Sequence, residues 1–433
     1  MERPNILFIV VDDCGYADLS CCGQTDFRTP NLDRMAAEGA RFTQAYANAP
    51  LCTNTRVAII TGQYQYRHAL GLAEPLRHSQ REDPSMGIPP GFPTMPEMLR
   101  RAGYRTALIG KWHLGYLPRF GPLKSGYESF FGIMGGYTGY FTHVGDGFDL
   151  DLYEGETTVD LVGYTTDLLS DRATAYVDEA GDAPFFLSLH YTAPHWPWSA
   201  PSDEAAARER ELVPSELAEG GSPRIYAEMM GVLDAGIGRV MEAVRRLKAR
   251  TGRDTLVVFT SDNGGERYSK NWPFVGRKWD LLEGGLRVPQ IAWWPGRIAA
   301  GRVTDQVAIT MDLSATCFAA AGVAPHPDHP LDGMDLLPLL SGAVPEQERT
   351  LYWRMANRSQ RAVRQGRWKY LKVAEREFLF DIAWDPRERG NLAEKQPERL
   401  KALRHQWEQW DATMLPAPAN LPAPFKNLSD MLW

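Results

Sequence analysis

Residues 52–62 combine a cysteine, an arginine and an apolar run long enough to form a helix. Cys52 precedes Arg56 by four residues, and the run ends at a glycine, Gly62. Asn54 is a residue type that caps the first turn of helices, and glycine is favoured just after a helix end. The free N–H groups of a helix start attract anions, and Arg56 would add a fixed charge. The segment therefore indicates either a reactive anion-binding site or a buried structural cysteine.

Four further polar clusters follow predicted strands directly. The strands are Ile6–Val11, Tyr104–Ile109, Phe185–His190 and Thr255–Thr260. The clusters that follow are Asp12-Asp13, Gly110-Lys111-Trp112-His113, His190 to His195 and Ser261-Asp262-Asn263. Ligands of open α/β sheets bind beyond the carboxyl ends of the strands. Each cluster alone has an ordinary structural explanation, but together with the Cys52 helix start they predict one site.

Two of these clusters supply only oxygen ligands. Asp12 and Asp13 are adjacent carboxylates, which repel each other unless a cation lies between them. Asp262 and Asn263 add a carboxylate and an amide oxygen. Such ligands suit a hard ion, Ca²⁺ or Mg²⁺, better than zinc. The sequence therefore predicts a divalent metal site, with Asp18 in the same loop as a structural residue.

The cysteine segment resembles the signature of type I, formylglycine-dependent sulfatases, the arylsulfatase family of the alkaline phosphatase superfamily. In that family Cys-x-Pro-Ser-Arg precedes a helix that ends in Thr-Gly. Here Asn54 stands in place of the Pro and Thr55 in place of the Ser. The other matching motifs, in the order of the family, are Gly110-Lys111-Trp112-His113, Ala193-Pro194-His195 and Lys278 ahead of Glu283-Gly284-Gly285. The resemblance therefore covers nearly the whole chain.

The resemblance implies that a maturation enzyme oxidises Cys52 to formylglycine, whose hydrate attacks the sulfur of a sulfate monoester. It implies catalytic roles for Cys52, Arg56, Lys111, His113, His195 and Lys278. It implies a metal, Ca²⁺ with Mg²⁺ or Mn²⁺ as alternatives, bound by Asp12, Asp13, Cys52, Asp262 and Asn263.

The resemblance also implies how these residues divide the chemistry. Arg56, Lys111, His195 and Lys278 are the residues that would hold the sulfate oxygens. Either His195 or Lys278 would protonate the leaving oxygen, and His113 would take the proton of the second hydroxyl so that sulfate leaves.

The predicted function is that of a sulfuric ester hydrolase acting on a small-molecule or saccharide sulfate, either an aryl or a carbohydrate ester. One alternative is a phosphodiester or phosphonate monoester hydrolase of the same superfamily. Another is a non-catalytic anion- or glycan-binding protein in which Cys52 stays a thiol. Six aromatic residues are expected near the site, at least half of them in the core: Trp112, Tyr137, Tyr140, Phe141, Trp196 and Trp198.

The presence of Asn at position 54, in place of the Pro of the family, should affect how the maturation enzyme recognises the motif. The maturation enzyme reads the motif in an extended chain, where Pro restricts the backbone and Asn does not. We therefore expect incomplete conversion of Cys52, and we expect the folded protein to tolerate Pro at position 54.

Alternating strands and helices, with a further strand at Val288–Trp294, predict a doubly wound, mostly parallel α/β sheet with helices on both faces. The predicted catalytic domain covers 1–345 and ends near the Pro- and Gly-rich segment 325–342. Short strands with turn residues between them then predict a small α+β domain at 346–433. It would contain an antiparallel sheet, one helix from about Pro397 to Thr413, and a Pro-rich tail.

The composition excludes several other classes of function. A net charge of −7 with no basic face gives no reason to expect nucleic acid as a partner. No apolar run has the length of a membrane span, and no signal peptide is recognisable. We expect a cytoplasmic protein, or a periplasmic or secreted one if a leader has been removed. The odd count of 5 cysteines argues against a disulfide framework.

Overall fold

The computed structural model describes residues 3–217, 220–356 and 359–418. Its strands are β1 Asn5–Val11, β2 Ala40–Phe42, β3 Ala45–Tyr46, β4 Arg105–Lys111, β5 Ser129–Ile133, β6 Tyr153–Glu154, β7 Thr157–Thr158, β8 Phe185–His190, β9 Thr255–Ser261, β10 Gln290–Trp293, β11 Arg302–Thr304, β12 Ala308–Ile309, β13 Thr350–Met355, β14 Gln360–Gln365, β15 Trp368–Val373 and β16 Arg376–Asp381. Its α-helices are α1 Pro30–Glu38, α2 Cys52–Thr61, α3 Met95–Arg101, α4 Thr165–Asp178, α5 Glu204–Arg210, α6 Pro223–Thr251, α7 Glu283–Leu286, α8 Thr310–Ala321, α9 Leu337–Leu340 and α10 Pro397–Asp411.

The large sheet has ten strands in the order β11-β2-β10-β9-β1-β8-β4-β5-β6-β7. The central strands β9, β1, β8, β4 and β5 are all parallel, whereas β10 runs antiparallel to both of its neighbours. At the far edge, β6 and β7 are also antiparallel. The predicted mostly parallel sheet is confirmed, and its parallel part contains all four of the predicted strand ends.

Helices cover both faces of this sheet, as predicted. Leu7, Ile9 and Val11 of β1 pack in one core with apolar residues of α1, α4 and α6. The alternate residues of the same strand pack in a second core with α2, α3 and α8. Because successive side chains of a strand point to opposite faces, a strand buried on both sides needs a continuous apolar run. That need accounts for the unbroken apolar sequence of β1.

The C-terminal strands form a separate antiparallel sheet in the order β13-β14-β15-β16. One face packs against α10, through Val363 and Trp407 among others. The opposite face shares a core with residues from earlier in the chain, in which Trp353 of β13 lies with Tyr46 of β3 and with Leu281. The small antiparallel sheet is therefore confirmed, while the boundary at 345/346 stays a prediction. Most of the predicted Pro-rich tail, 419–433, lies outside the described residues.

Some elements differ from the sequence-based expectation. Val288–Trp294 was expected as a strand, and the structure has the shorter antiparallel β10 there. The short strands β2, β3 and β5 were not predicted. Of the helices described, α6 is the longest at 29 residues, and neither it nor any other is apolar enough over sufficient length to span a membrane.

Candidate active site

The parallel strands bring their polar ends to one edge of the sheet. In the register of the central strands, Val11 of β1 lies beside Ser261 of β9, and Val10 lies beside His190 of β8. His190 in turn lies beside Gly110 of β4. The residues that follow these strands are therefore neighbours in space, although up to about 250 positions separate them in the chain.

Helix α2 places Cys52 at the same edge. Cys52 is the first helical residue, its side chain is 2% exposed, and Gly62 ends the helix with a φ of 68°. The Gly62 N–H donates to the Ala58 carbonyl, as expected for a glycine after a helix end. The Cys52 Sγ lies 3.3 Å from Nδ1 of His113.

The predicted capping role of Asn54 is wrong. The residue before the helix is Leu51, and the Asn54 side chain makes no bond to the first turn. Its Nδ2 instead donates to the carbonyls of Gly71 and Ala73, each at 2.9 Å. The buried amide therefore holds a neighbouring loop against the start of α2, an interaction with no local sequence signal.

The tautomer of His113 follows from its second hydrogen bond. Its Nε2 donates to the Leu76 carbonyl at 2.9 Å, which leaves Nδ1 as the acceptor that faces Cys52. Burial lowers the pKa of His113 well below its usual value, and the nearby charge of Lys111 lowers it further. A neutral imidazole is therefore held with its free lone pair towards position 52.

Four oxygen-bearing side chains surround a small volume beside Cys52. Asp12, Asp13, Asp262 and Asn263 are each at most 2% exposed. Ligand atoms of Asp12, Asp262 and Cys52 lie within 4.8 Å of one another. Within the described ranges, Oδ1 of Asp12 and Oδ1 of Asn263 are buried without a hydrogen-bond donor.

The electrostatics of these carboxylates also favour a cation. The pKa of Asp13 is raised to about 7, chiefly by burial, which outweighs the opposing charge of Lys278 and is reinforced by the charges of Asp12 and Asp262. Burial, followed by the charge of Asp12, raises the pKa of Asp262 to about 6. A divalent ion would favour the ionised forms and supply a partner for the two orphaned oxygens. The residues present therefore fit a hard metal ion.

Arg56 and Lys111 lie beneath this cluster and do not line the cavity described below. Arg56 donates from Nε and a terminal nitrogen to Asp262 Oδ2, at 3.0 and 2.8 Å. Lys111 Nζ lies 2.5 Å from Asp12 Oδ2. Burial raises the pKa of Asp12, but the charges of Lys111, Arg56 and Lys278 outweigh it, so the pKa stays below its usual value. Both cations thus hold carboxylates in their ionised form.

His195 and Lys278 face the cavity from the other side of the acidic cluster. Lys278 Nζ lies 2.8 Å from Asp13, and His195 Nε2 lies 3.6 Å from the same carboxylate. Burial alone would lower the pKa of Lys278, but the charge of Asp13 outweighs it and raises the pKa. Burial lowers the pKa of His195, as does the charge of Lys278. The pair therefore offers one fixed cation and one neutral imidazole.

Backbone constraints position several of these residues. A Cβ at Gly110, whose φ is +118°, would lie 1.8 Å from the His190 carbonyl oxygen. Only glycine lets β4 and β8 approach so closely just before Lys111. Asp13 and His113 have φ values of 64° and 55°, a conformation that is uncommon outside glycine and often found at functional sites.

These residues open into a cavity of about 730 Å³. Its lining consists of Cys52, Pro75, Leu76, Arg77, His78, Ser79, His113, Gly136, Tyr137, Asp146, Gly147, Phe148, His195, Trp196, Glu266, Lys278 and Trp279. Of the aromatic residues expected at the mouth, only Tyr137 and Trp196 are on this lining. Trp112, Tyr140, Phe141 and Trp198 are at most 4% exposed and belong to the core.

Sequence reasoning missed other residues of the site. His190 Nδ1 lies 3.3 Å from a terminal nitrogen of Arg56, whereas the sequence indicated His190 only as a member of a polar cluster. The segment 75–79 and Glu266 carry no motif, so no local signal placed them in the lining. Asp18 accepts bonds from Tyr226 and Ser269, which fits the structural role expected of it.

Comparison with known proteins identifies the family. The sulfatase family model matches residues 4–323, and a model for the C-terminal region of N-sulphoglucosamine sulphohydrolase matches residues 272–412. The chain is 34% identical to N-acetylgalactosamine-6-sulfatase of Canis lupus familiaris, over 82% of this chain and 69% of that protein. It is 31% identical to arylsulfatase A of Homo sapiens, over 93% of this chain and 86% of that protein.

Solved structures share the whole fold. The crystal structure of Ps i-CgsB is 29% identical and has a TM-score of 0.84, with 99% of this chain and 96% of that chain covered. A second structure of that protein is in complex with k-i-k-neocarrahexaose. A phosphonate monoester hydrolase of Agrobacterium radiobacter shares the fold with a TM-score of 0.65 at 21% identity, over 95% of this chain and 96% of that chain. The chain therefore belongs to the sulfatase family, enzymes that hydrolyse sulfate esters.

Proposed function

We propose that this protein hydrolyses a sulfate monoester of an aryl alcohol or a saccharide, with a formylglycine made from Cys52 and a divalent metal ion. The observation that carries the proposal is the surroundings of Cys52. His113 Nδ1 lies 3.3 Å from its Sγ, and ligand atoms of Asp12 and Asp262 lie within 4.8 Å of the same atom. A structural cysteine has no need of a base and two carboxylates around it.

Asp12, Asp13, Asp262 and Asn263 would hold the ion, which we take to be Ca²⁺, with Mg²⁺ or Mn²⁺ as alternatives. When present, the hydrated aldehyde at position 52 supplies the nucleophile and a second hydroxyl, and the ion lowers the pKa of the attacking hydroxyl. A separate maturation enzyme would produce the aldehyde.

The cationic side chains of the cavity would bind the sulfate group. Lys278 is charged when substrate binds because its pKa is raised beside Asp13, so it attracts the sulfate oxygens. His195 donates from Nδ1 to the Trp196 carbonyl at 2.5 Å, which leaves Nε2 as its exchangeable position on the cavity side. The donor that protonates the leaving oxygen would be either Lys278 or His195, and His195 would first have to gain a proton on Nε2 because its neutral form carries its proton on Nδ1.

His113 would act as the base at position 52. Its Nε2–H is held by the Leu76 carbonyl, so any proton it takes must go to Nδ1, the atom nearest Cys52. Removal of a proton from the group at position 52 is the step that regenerates the aldehyde and releases sulfate.

Arg56 and Lys111 would keep the metal ligands in place. Their charged groups are bonded to Asp262 and Asp12. The direct contact with sulfate that the resemblance implies for these two residues stays a prediction.

The saccharide class is supported by relatives. N-acetylgalactosamine-6-sulfatase and the complex of Ps i-CgsB with k-i-k-neocarrahexaose are both similar to this chain over most of its length. The fold shared with a phosphonate monoester hydrolase keeps phosphodiesters and phosphonate monoesters as the second class to be assayed.

The experiment combines mass spectrometry with substrate comparison. The peptide that contains residue 52 is measured for loss of the thiol and gain of the aldehyde. Turnover of nitrophenyl sulfate is then compared with that of bis-nitrophenyl phosphate and a nitrophenyl phosphonate, with Cys52→Ala as control. We expect an aldehyde and a preference for the sulfate. A pure thiol with no turnover would favour the anion-binding alternative, and faster turnover of the phosphorus esters would favour the related hydrolase.

A further inference from the structure

The cavity is much larger than a sulfate group. Its volume of about 730 Å³ lies within the range of sites that enclose a complete small-molecule ligand. Most of its lining residues are outside the set that the proposed chemistry uses. These other residues must therefore contact the alcohol part of the substrate, and their chemistry indicates what that part contains.

One wall of the cavity is fixed directly beside the catalytic residues. The Leu76 N–H donates to Thr53 Oγ1 at 3.2 Å, and the Leu76 carbonyl accepts from His113 Nε2 at 2.9 Å. Thr53 is the neighbour of Cys52 in α2. The backbone of the next residue, Arg77, is therefore held close to the reacting groups, while its side chain is exposed and lines the cavity.

Arg77 carries a charge that no protein group neutralises. Over the described ranges, its guanidinium makes no hydrogen bond and no ion pair. The other permanent cation of the lining, Lys278, is paired with Asp13 at 2.8 Å. A guanidinium binds carboxylate or sulfate through a fork of parallel donors and keeps its charge at every relevant pH. An unpaired guanidinium in a substrate cavity is therefore suited to bind an anion.

The same cavity has an aromatic surface. Tyr137 and Trp196 are both half-buried, and their ring centroids are 4.4 Å apart with an angle of 41° between the ring planes. Side chains of this type pack their faces against the apolar faces of sugar rings and keep a polar group free for hydroxyls. The lining thus joins a surface for a ring with a separate site for an anion.

We propose that this cavity selects saccharide sulfates with a second anionic group, and that Arg77 binds this group while Tyr137 and Trp196 pack against the sugar. The proposal rests on the proposed function, since it takes the scissile sulfate to lie at Cys52. The second anion is either another sulfate or the carboxylate of a uronic acid, because both match a forked donor.

The test measures binding without catalysis. In a Cys52→Ala background, calorimetry measures the binding affinity of hexose monosulfates, substituted at O2, O3, O4 or O6. Each monosulfate is compared with two doubly anionic ligands: the same hexose with a second sulfate, and the same monosulfate linked to glucuronic acid. Each ligand is measured with Arg77, with Arg77→Ala and with Arg119→Ala. Arg119 is an exposed arginine outside the cavity lining and serves as the matched control.

We expect at least one pair in which the doubly anionic ligand binds about tenfold or more tightly than its monosulfate partner, the effect of one charge-assisted bond. Arg77→Ala should remove most of this preference and leave monosulfate binding nearly unchanged, whereas Arg119→Ala should keep the preference. The preference should also shrink at high salt. If the disulfates show the preference, the second anion is a sulfate; if the glucuronides show it, the second anion is a carboxylate.

The inference is overturned if no pair shows the preference, or if the preference survives Arg77→Ala. Its failure is distinct from that of the proposed function. If the ligands bind as expected but the unmutated protein, with its aldehyde verified by mass, cleaves no sulfate ester, the proposed function fails and the role of Arg77 stands.

Discussion

At position 113 the backbone and both ring nitrogens are fixed by separate parts of the chain. The left-handed backbone turns the side chain towards α2, the Leu76 carbonyl holds Nε2, and Nδ1 is left facing Cys52. The precision of this arrangement comes from a contact between residues that are far apart in sequence. Sequence motifs identified the histidine, but only the structure shows which of its nitrogens faces Cys52.

His113→Ala should therefore lower kcat far more than it changes KM. Loss of a positioned base typically costs about 10²- to 10⁴-fold in rate. Kinetics with nitrophenyl sulfate, normalised to the aldehyde fraction found by peptide mass, measure the change. His405→Ala, on the exposed face of α10, is the control and should leave both constants unchanged. A rise in KM with constant kcat would show that His113 only binds substrate.

Asp262 has two neighbours that depend on it, the proposed ion and Arg56. Asp262→Asn would leave the buried guanidinium of Arg56 with only the more distant carboxylate of Asp12, 3.8 Å away, at a cost of about 3 kcal/mol in the free energy of unfolding. We expect Ca²⁺ to raise the Tm of the wild-type protein, and Asp262→Asn should abolish that rise. Asp178→Asn, which breaks an exposed pair with Arg246, should leave the free energy of unfolding nearly unchanged. An undiminished effect of Ca²⁺ in Asp262→Asn would exclude Asp262 as a ligand.

The same carboxylates predict the pH dependence of metal binding. The pKa of Asp13 is raised to about 7 and that of Asp262 to about 6, so protons compete with the ion in this range. A ligand must lose its proton before it binds the metal. The apparent affinity for Ca²⁺, measured by calorimetry, should therefore fall as the pH is lowered from 8 through 7 to 6. A constant affinity over this range would mean that neither carboxylate titrates there.

At the level of elements, helix α2 shows what a sequence pattern can and cannot predict. Its extent and its end at Gly62 follow from the apolar run and the glycine, both of which are local features. The use of the Asn54 side chain depends on a loop 17 residues away, with which it shares no pattern. The folded protein is therefore more sensitive to this position than the sequence suggested.

Asn54→Pro should separate maturation from stability. The substitution gives the maturation enzyme the Pro that is usual in the family's motif, so we expect peptide mass to show a larger aldehyde fraction. In the folded state it leaves the carbonyls of Gly71 and Ala73 without their donor, at a cost of about 1–3 kcal/mol in unfolding free energy. Thr55→Ser, which restores the other family residue and keeps the hydroxyl bonded to Ala49, should change stability little. Unchanged stability in Asn54→Pro would mean that those two bonds contribute nothing.

As in α2, the features of the strands that depend on local sequence were predictable, and those that depend on distant contacts were not. Long apolar strands such as β1 and β9 were predictable, and with them the edge at which their polar ends meet, because burial on both faces imposes a continuous pattern. The three-residue β2 is too short to show a period, and the antiparallel direction of β10 depends on the path of the chain between strands. The lining residues 75–79 were missed because what places Arg77 is a pair of backbone bonds at Leu76, which leave no mark on composition.

On the scale of the whole molecule, a buried ionic group joins the C-terminal sheet to helix α7, which lies next to the active-site segment. Lys369 of β15 is fully buried, with Nζ 2.9 Å from Glu283 and 2.8 Å from Glu388. Glu283 begins α7, only five residues after Lys278 of the active site. The core around Trp353 also joins the C-terminal sheet to earlier parts of the chain, among them Ala58 of α2 and Leu286 of α7. The two sheets should therefore unfold together.

We expect one cooperative thermal transition for the full chain, and we expect Lys369→Met to lower its midpoint as a whole. The substitution leaves the buried Glu388 without its cation and Glu283 with Arg287 alone, a loss of about 3–5 kcal/mol. Lys372→Met, three residues along the same strand and partly exposed, is the matched control and should shift the midpoint little.

The measurement is calorimetry with and without Ca²⁺, because the ion would stabilise only the part of the protein that contains the active-site edge. If Lys369→Met instead separates a first transition that Ca²⁺ does not affect from a second that it does, the sheets unfold independently. The predicted boundary at 345/346 would then divide two autonomous domains.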